Sequence, residues 1–187
     1  AECQEEALLA VSAVIRKNGT GSMKYMQALS PLLFSALSNV QAPRVCAVAI
    51  GLSGDIARAL KCKIGPICDN LVRHYLMSLQ SPQLERNVKP RVSSALGDLA
   101  LAIGGHFGRY LGKVMQMLVQ MSQTKFPDFD EDDLRFLDEL RESICSTYTA
   151  ILQGLCDGGK QNAFVPHLNN VFNFIVLIEQ EAGEWES

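Results

Sequence analysis

The chain has 187 residues with a formal net charge of −3 at pH 7, and 48% of its residues are hydrophobic while only 7% are aromatic. Ala, Leu, Val, Ile and Met therefore supply most of the apolar mass, a balance that favours closely packed helices over a β-sandwich. The negative charge argues against direct, generic binding of nucleic acid. No stretch reaches the roughly 18 consecutive apolar residues of a membrane span, so we expect no membrane insertion.

The apolar residues follow a helical period along the chain. In 43–60 they recur at steps of three and four residues, which places them on one stripe of a helix. The pattern predicts four pairs of helices, at 4–17 with 22–38, 43–61 with 64–80, 84–103 with 107–122, and 133–156 with 163–181. The sequence contains no β-type alternation of any length, so the predicted fold class is all-α.

Proline and glycine positions predict where these helices begin and end. Pro31, Pro66 and Pro166 lie near predicted helix starts, where a missing N–H costs little. Pro90 lies inside its predicted helix and is expected to kink it. The pair Gly104-Gly105 is predicted to be a turn between two helices, with a residue in the left-handed conformation.

The sequence repeats itself at an offset of 43 residues. The stretch "SGDIARALKCKIGPICDNLVRHYL" (53–76) aligns without a gap with "LGDLALAIGGHFGRYLGKVMQMLV" (96–119). Together with two less regular copies it predicts repeats at about 1–39, 40–82, 83–124 and 125–187. A helix pair of this length is typical of HEAT and armadillo repeats, which stack into a curved solenoid. We therefore predict an α-solenoid of about four helical hairpins, with first helices outside and second helices on the concave side.

The motifs of common enzymes are missing from the sequence. The glycine-rich stretch 95–118 follows no predicted strand and contains neither GxxxxGK[ST] nor GxGxxG, so we expect no phosphate site there. The six cysteines form no CxxC pair, and the three histidines include no HExxH motif. We predict no catalytic residue, no metal site and no cofactor.

Two aspartates occupy equivalent positions in successive repeats. In the ungapped alignment, Asp55 falls on Asp98, late in the first helix of each pair. We predict a structural role for both: each carboxylate binds backbone N–H groups or a basic residue in the next repeat and so fixes the stacking angle. A role in ligand binding is the alternative.

An acidic insertion, "QTKFPDFDEDD" (123–133), precedes the fourth helix pair. The interpretation that we favour is a solvated loop followed by an acidic first helical turn, where negative charge complements the helix dipole. The alternative is a contact surface for a basic partner. Its acidic residues are Asp128, Asp130, Glu131, Asp132 and Asp133.

The second helices of the middle repeats carry a mixed polar face that could contact a partner on the concave side. Its members are Asp69, Arg73, Lys113, Gln116 and Gln120.

Three stretches resemble a known protein family. They are "RVCAVAIGLSGDIARAL" (44–60), "NVKPRVSSALGDLALAIGGHFGRYL" (87–111) and "FLDELRESICSTYTAILQGL" (136–155), and they are similar to the importin beta family of karyopherin nuclear import receptors. The resemblance implies a right-handed HEAT-repeat superhelix that is not an enzyme. It also implies that the whole receptor carries cargo, often through importin alpha, between cytoplasm and nucleus across the nuclear pore, and releases the cargo when Ran-GTP binds.

The resemblance places the chain in the C-terminal half of such a receptor, so most of the Ran contact is expected on N-terminal repeats outside this sequence. It also implies a secondary site for Phe-Gly nucleoporins between outer helices. The candidates for that groove are Val48, Leu52, Ile56, Val92, Leu96 and Leu99. For each of these residues the alternative is a plain core position. For the whole chain the alternative function is a HEAT scaffold of another assembly, such as a phosphatase regulatory subunit.

Overall fold

The computed structural model describes residues 2–126 and 130–185. Within those ranges the chain forms eight α-helices and no strand, which confirms the all-α prediction. They are α1 (Glu2–Asn18), α2 (Met26–Leu37), α3 (Pro43–Leu60), α4 (Gly65–Gln80), α5 (Lys89–Ile103), α6 (Leu111–Ser122), α7 (Glu131–Asp157) and α8 (Leu168–Trp185).

The helices form two layers, as expected for a HEAT-repeat solenoid. The first helices of the four pairs, α1, α3, α5 and α7, pack side by side in chain order, and the contact between α5 and α7 is the most extensive. The second helices, α2, α4, α6 and α8, make the other layer. One hydrophobic core fills the space between the layers, because the apolar stripe of each helix faces it. Its buried members include Ile15, Leu33, Ile56, Leu71, Leu96, Leu118, Ile151 and Phe174.

Short 3-10 turns join the two helices of every pair, and three second helices therefore begin later than predicted. These turns span Gly19–Tyr25, Lys61–Ile64, Gly104–Arg109 and Gln161–His167. Their hydrogen bonds run from residue i to i+3 and wind the backbone more tightly than an α-helix does. Gly104 has φ +56°, so the predicted turn at Gly104-Gly105 is confirmed.

Two of the four proline predictions were wrong. Pro90 does not lie in a helix interior, because α5 begins only at Lys89, after a bend at Leu84 and the 3-10 segment Arg86–Val88; Pro90 is the second residue of α5, where no kink is required. Pro31 lies inside α2, because this helix follows directly from the first 3-10 turn and begins at Met26, five residues before Pro31. Pro66 is the second residue of α4, as predicted, and Pro166 lies in the 3-10 turn just before α8.

Backbone meets backbone where α5 and α7 approach most closely. A Cβ atom added to Gly154 would lie 2.4 Å from the carbonyl oxygen of Ala100, and one added to Gly158 would lie 2.2 Å from the amide nitrogen of Gly105. Only glycine fits at both positions without a displacement of the helices.

No described helix is long and apolar enough to cross a membrane.

Candidate partner-binding surfaces

Polar side chains link α1, α3 and α5 across the first-helix layer. Ser12 of α1 donates its hydroxyl hydrogen to Asp55 Oδ2, and Arg58 Nη2 donates to Asp55 Oδ1 at 2.6 Å. The other terminal nitrogen of Arg58 donates to Asp98 Oδ2 of α5. Burial alone would lower the pKa of Arg58, but its hydrogen bonds to Asp98 and Asp55 raise that pKa above its ordinary value. The guanidinium therefore stays charged and joins two successive repeats.

The two aspartates predicted to be structural thus bind a basic residue. For Asp98 that residue comes from the preceding repeat, whereas the prediction placed it in the next one. Asp55 is bound by Arg58 of its own helix and by Ser12 of the preceding repeat, and Arg16 Nε of that repeat lies 3.9 Å away.

A groove lies beside this chain of contacts on the first-helix layer. Its cavity of about 470 Å³ is bounded by α3, α5 and α7, and we call it the first-helix groove. The floor has small side chains, because Gly51 and Gly54 of α3 face Ala95 of α5. A Cβ atom added to Gly51 would meet nothing within 4 Å, so the space above this residue is open. The charged residues of its lining are Arg58, Arg91, Asp98, Glu139 and Glu142.

The predicted Phe-Gly groove residues do not line this groove. Five of the six are at most 1% exposed and belong to the core between the layers; they are Leu52, Ile56, Val92, Leu96 and Leu99. The sixth, Val48, is half-buried. The prediction was wrong because it followed the apolar stripe, which points toward the core, whereas the groove is formed by small residues on the neighbouring face. The alternative, a plain core position, is what the structure shows for those five.

The second-helix layer brings all five predicted polar residues together. Asp69 and Arg73 of α4 and Lys113, Gln116 and Gln120 of α6 line one cavity of about 580 Å³, which we call the second-helix cleft. Sequence reasoning missed its other members, which share the same helix faces at steps of three and four residues. They are Val72, Leu76, Met77, Gln80, Tyr110 and Met117.

Tyr110 closes one end of the second-helix cleft. Its hydroxyl donates a hydrogen bond to Asp69 Oδ1, and Arg109 Nη2 lies 3.4 Å from the same oxygen. The Arg109 guanidinium also lies 4.7 Å from the centroid of the Tyr110 ring, a cation–π distance. Burial, together with the hydrogen bond to Asp69, raises the pKa of Tyr110 to about 12. The hydroxyl therefore remains a donor at neutral pH.

The described part of the acidic insertion begins α7. Asp130 caps the helix, since its Oδ1 accepts a hydrogen bond from the Asp133 backbone nitrogen at 2.7 Å, and Glu131, Asp132 and Asp133 form the first turn. Asp133 is only 9% exposed and accepts a hydrogen bond from Arg86 Nη1. These contacts match the acidic first turn of the favoured interpretation, although Asp133 is bound to Arg86 rather than solvated. Asp128 lies outside the described residues.

The described residues contain no cluster of three His, Cys, Asp or Glu side chains that could hold a metal ion. The most exposed cysteines, Cys3, Cys62 and Cys156, lie apart on α1, on a 3-10 turn and on α7. Two of the open cavities among the described residues are the first-helix groove and the second-helix cleft.

Comparison with known proteins gives a consistent result. A family profile described as importin subunit beta-1-like, TPR repeats, matches residues 1–187. Importin subunit beta-1 of Schizosaccharomyces pombe is 38% identical over 177 residues, which are 93% of this chain and 20% of the relative. Importin subunit beta-1 of Arabidopsis thaliana is 36% identical over 183 residues, which are 97% of this chain and 21% of the relative. The chain thus spans about a fifth of the length of these relatives.

Solved structures agree with the sequence relatives. A crystal structure of importin beta superposes with a TM-score of 0.88 at 34% identity, over 93% of this chain and 21% of that one. A Kap95:Nup1 complex gives a TM-score of 0.85 at 30% identity, over 92% of this chain and 20% of Kap95. A structure of Kap95p with RanGDP gives a TM-score of 0.87 at 29% identity, over 95% of this chain and 20% of that one.

Proposed function

The chain belongs to the importin beta family, and we propose that it is a non-catalytic segment of a nuclear import receptor that works by presenting binding surfaces. The whole-chain family match and the two-layered solenoid support this proposal over a scaffold of another assembly, such as a phosphatase regulatory subunit. The placement in the C-terminal half of the receptor stays a prediction. So does the localisation to cytoplasm, nucleus and nuclear pore.

The first-helix groove is the proposed site for Phe-Gly segments of nucleoporins. The observation that carries this step is the open space above Gly51, beside Pro90 and Ala95. A phenylalanine ring in that space would bury apolar area worth roughly 1.5–3 kcal/mol. Such a weak contact, repeated along a nucleoporin, suits rapid exchange. Among the relatives, Kap95 has been solved as a complex with Nup1.

The residues of the groove replace those predicted from the sequence. Burial of Leu52, Ile56, Val92, Leu96 and Leu99 excludes them from contact with a ring unless the helices move apart. The proposed contact set is therefore Gly51, Gly54, Pro90, Ser94 and Ala95.

Filling the groove tests this site. Leucine at Gly51 would extend into the open space from a Cβ atom that meets nothing within 4 Å, and leucine at Gly112 of α6 is the matched control, because nothing lies within 4 Å of a Cβ added there either. In an NMR titration with a Phe-Gly peptide, we expect amide shifts within 48–58 and 90–98 for the wild type and for Gly112→Leu, and their loss for Gly51→Leu. Equal shifts in all three proteins would reject the site.

The second-helix layer is proposed to face importin alpha or cargo that binds directly, with Ran-GTP contacted mainly through repeats outside this chain. The second-helix cleft supports this, because it combines an apolar floor with charged and amide groups open to solvent. A pull-down of importin alpha by the full-length receptor, with and without substitutions in the cleft, tests the assignment. Unchanged capture by a receptor with Lys113 and Gln116 both replaced by Ala would reject it.

A further inference from the structure

We propose that an acidic segment of a partner protein binds at the edge of the solenoid and inserts one apolar side chain between the first two 3-10 turns. The groove there is bounded by the turns Gly19–Tyr25 and Lys61–Ile64 and by the first residues of α2 and α4, and we call it the turn groove. It shares no lining residue with the first-helix groove or the second-helix cleft. The proposal therefore goes beyond the proposed function and does not depend on it.

The turn groove has the size and the lining for one apolar side chain. The two turns that form it contact each other directly, because the first and second repeats stack. The cavity between them has a volume of about 240 Å³, which is small for a drug-sized ligand. Leu60 and Ile64 line its floor and are each 1% exposed. At the rim, Met23 is 38% exposed and Pro66 is also exposed, so an apolar side chain of the partner can bury area against both.

The chain is cationic around the turn groove, although its net charge is −3. Residues 16–67 contain seven lysines and arginines and one acidic residue, Asp55. Asp55 is 7% exposed and already accepts hydrogen bonds from Ser12 and Arg58, so it offers no free carboxylate to a basic ligand. Charge complementarity therefore favours an acidic partner at this edge.

The acidic residues of the other helices do not cancel this charge. Asp69 of α4 is the nearest of them in the chain, and a terminal nitrogen of Arg109 lies 3.4 Å from its carboxylate. The glutamates of α8 lie within 179–184, in the last two turns of a helix that begins at this edge with Leu168, so they are about 16 Å or more along its axis. Asp157 lies at the same edge, but at the end of α7 in the fourth pair.

Four lysines at this edge of the first two helix pairs are free to bind anionic groups. Lys17, Lys24, Lys61 and Lys63 are exposed, and none of them lies within 4.0 Å of a carboxylate oxygen of the described residues. Lys24 Nζ lies 5.0 Å from the centroid of the Tyr25 ring, a contact that leaves its charge unmatched. Lys63 lines the turn groove itself. Carboxylates on both sides of an inserted apolar side chain would thus meet lysines of both turns.

The backbone of Lys61 has a conformation that suits glycine. Lys61 is the only described residue other than glycine with a positive φ, and its angles are φ 52° and ψ −137°. In the 43-residue alignment it falls on Gly104, which has φ 56° and ψ −133°. A side chain in this conformation carries a steric cost that glycine avoids.

The fold does not account for a lysine at this strained position. The Lys61 side chain is exposed and has no hydrogen bond or ion pair with the other described residues. Strained residues of this kind are concentrated at functional sites. Its ammonium group points to an anionic partner, which agrees with the charge of the surrounding turns.

The same groove disfavours two other ligands. Single-stranded RNA would supply anionic groups, but its bases bind mainly by stacking on aromatic rings, and none of the described residues that line the turn groove is aromatic. A basic segment would place like charges against the lysines. Basic partners therefore have to bind elsewhere, for example at the second-helix cleft, which is a separate surface.

A peptide titration tests the proposal. The probe is a fluorescein-labelled peptide of alternating Glu and Ser with one central Leu, and its fluorescence anisotropy is followed as the 187-residue chain is added. We expect Lys63→Glu to weaken binding by about tenfold, because it replaces attraction by repulsion. The matched control is Lys113→Glu, which makes the same change at an exposed lysine of the second-helix cleft and should leave the affinity unchanged.

Glycine at position 61 separates binding from folding. Lys61→Gly removes a charge and the backbone strain together, so it should weaken binding by about threefold while it raises the midpoint of urea denaturation. A role in the fold alone would not weaken binding in a more stable protein. Probes with Gln in place of every Glu, or with Ser in place of Leu, should each bind about tenfold more weakly. In an NMR titration the amides that shift should lie within 23–30 and 60–67.

Five results would each overturn the proposal. They are no binding of the Glu probe, an equal loss of affinity in Lys113→Glu, unchanged affinity in Lys61→Gly, equal binding of the Gln probe, and equally tight binding of a single-stranded RNA oligonucleotide that Lys63→Glu weakens. Circular dichroism of each variant verifies that it is folded. Phe-Gly binding is scored separately with Gly51→Leu, so failure at one site is distinguishable from failure at the other.

Discussion

Arg58 of α3 donates a hydrogen bond to Asp98 of α5, and it thereby connects two repeats through side chains 40 positions apart. The same guanidinium binds Asp55, which is almost buried, whereas Arg58 itself is about half exposed. Because water screens the exposed end of this arrangement, the buried carboxylate should contribute more to stability than the exposed one.

We predict that Asp55→Ala lowers the free energy of unfolding by about 1–3 kcal/mol, because the hydroxyl of Ser12 and one nitrogen of Arg58 lose their acceptor. For Asp98→Ala we expect the free energy of unfolding to fall by less than about 1 kcal/mol, since Arg58 keeps its hydrogen bond to Asp55. Urea denaturation followed by circular dichroism measures both. The control is Asp69→Ala, whose carboxylate is 71% exposed. An equal or reversed order of the Asp55 and Asp98 variants would contradict the argument.

The close approach of α5 and α7 gives a second prediction. Alanine at Gly154 would place a Cβ atom 2.4 Å from the Ala100 carbonyl oxygen, so the two helices must separate, and we expect a loss of about 1–3 kcal/mol or more. The matched variant is Gly51→Ala in α3, where a Cβ meets nothing within 4 Å. It should stabilise the chain by about 0.5–1 kcal/mol through helix propensity alone. A denaturation midpoint for Gly154→Ala that is equal to or above that of the wild type would show that the interface adapts.

The repeat architecture could be predicted from the sequence because it depends on periodicity. A 43-residue offset and a helical stripe of apolar residues recur locally, so the fold class, the number of helix pairs and the turn at Gly104 followed from them. The beginnings of α2, α6 and α8 did not follow, because a 3-10 turn and an α-helix place apolar residues almost equally well. The error at Pro90 has the same origin: the residues before it look helical but form a turn.

The two surfaces differed in how far they could be predicted. Five polar residues of the second-helix cleft were found because polar side chains on a helix in a two-layered fold must face solvent, and those of α4 and α6 face the same cleft. The first-helix groove was missed because its floor consists of glycine and alanine, which give no hydrophobic signal. Arg58 was also missed as the partner of Asp98, since a link between two helices depends on their relative placement, which a single sequence does not encode locally.

Two buried tyrosines offer a test of hydrogen-bond satisfaction. The Tyr148 hydroxyl is buried and has no hydrogen-bond partner among the described residues, whereas the Tyr75 hydroxyl donates to Ser53 Oγ at 2.6 Å. Removing an unsatisfied hydroxyl recovers its desolvation cost, so we expect Tyr148→Phe to be neutral or to stabilise the chain by about 1 kcal/mol. Tyr75→Phe should destabilise it by about 0.5–1.5 kcal/mol. Chemical denaturation of the two single variants decides, and a clear loss for Tyr148→Phe would reveal a partner for that hydroxyl.

His74 should make the stability of the chain depend on pH. Its ring stacks on Phe34 of α2 with centroids 5.1 Å apart, and its Nδ1 lies 3.2 Å from Ser38 Oγ. Burial, followed by the charge of Arg73, lowers the pKa of His74 in the folded chain below its ordinary value. The unfolded chain therefore binds a proton first as the pH falls.

The resulting contribution to stability is fully present above the unfolded pKa of about 6.5 and is lost as the pH falls toward the folded pKa. We expect the denaturation midpoint to decrease between pH 7.5 and pH 5, and to decrease less in His74→Gln, which keeps a polar side chain but cannot titrate. The control is His106→Gln, because His106 is exposed on the 3-10 turn before α6. An identical pH dependence of the midpoint in wild type and His74→Gln would assign the effect to other groups. A weaker pH dependence in His106→Gln alone would assign it to His106 and contradict the prediction.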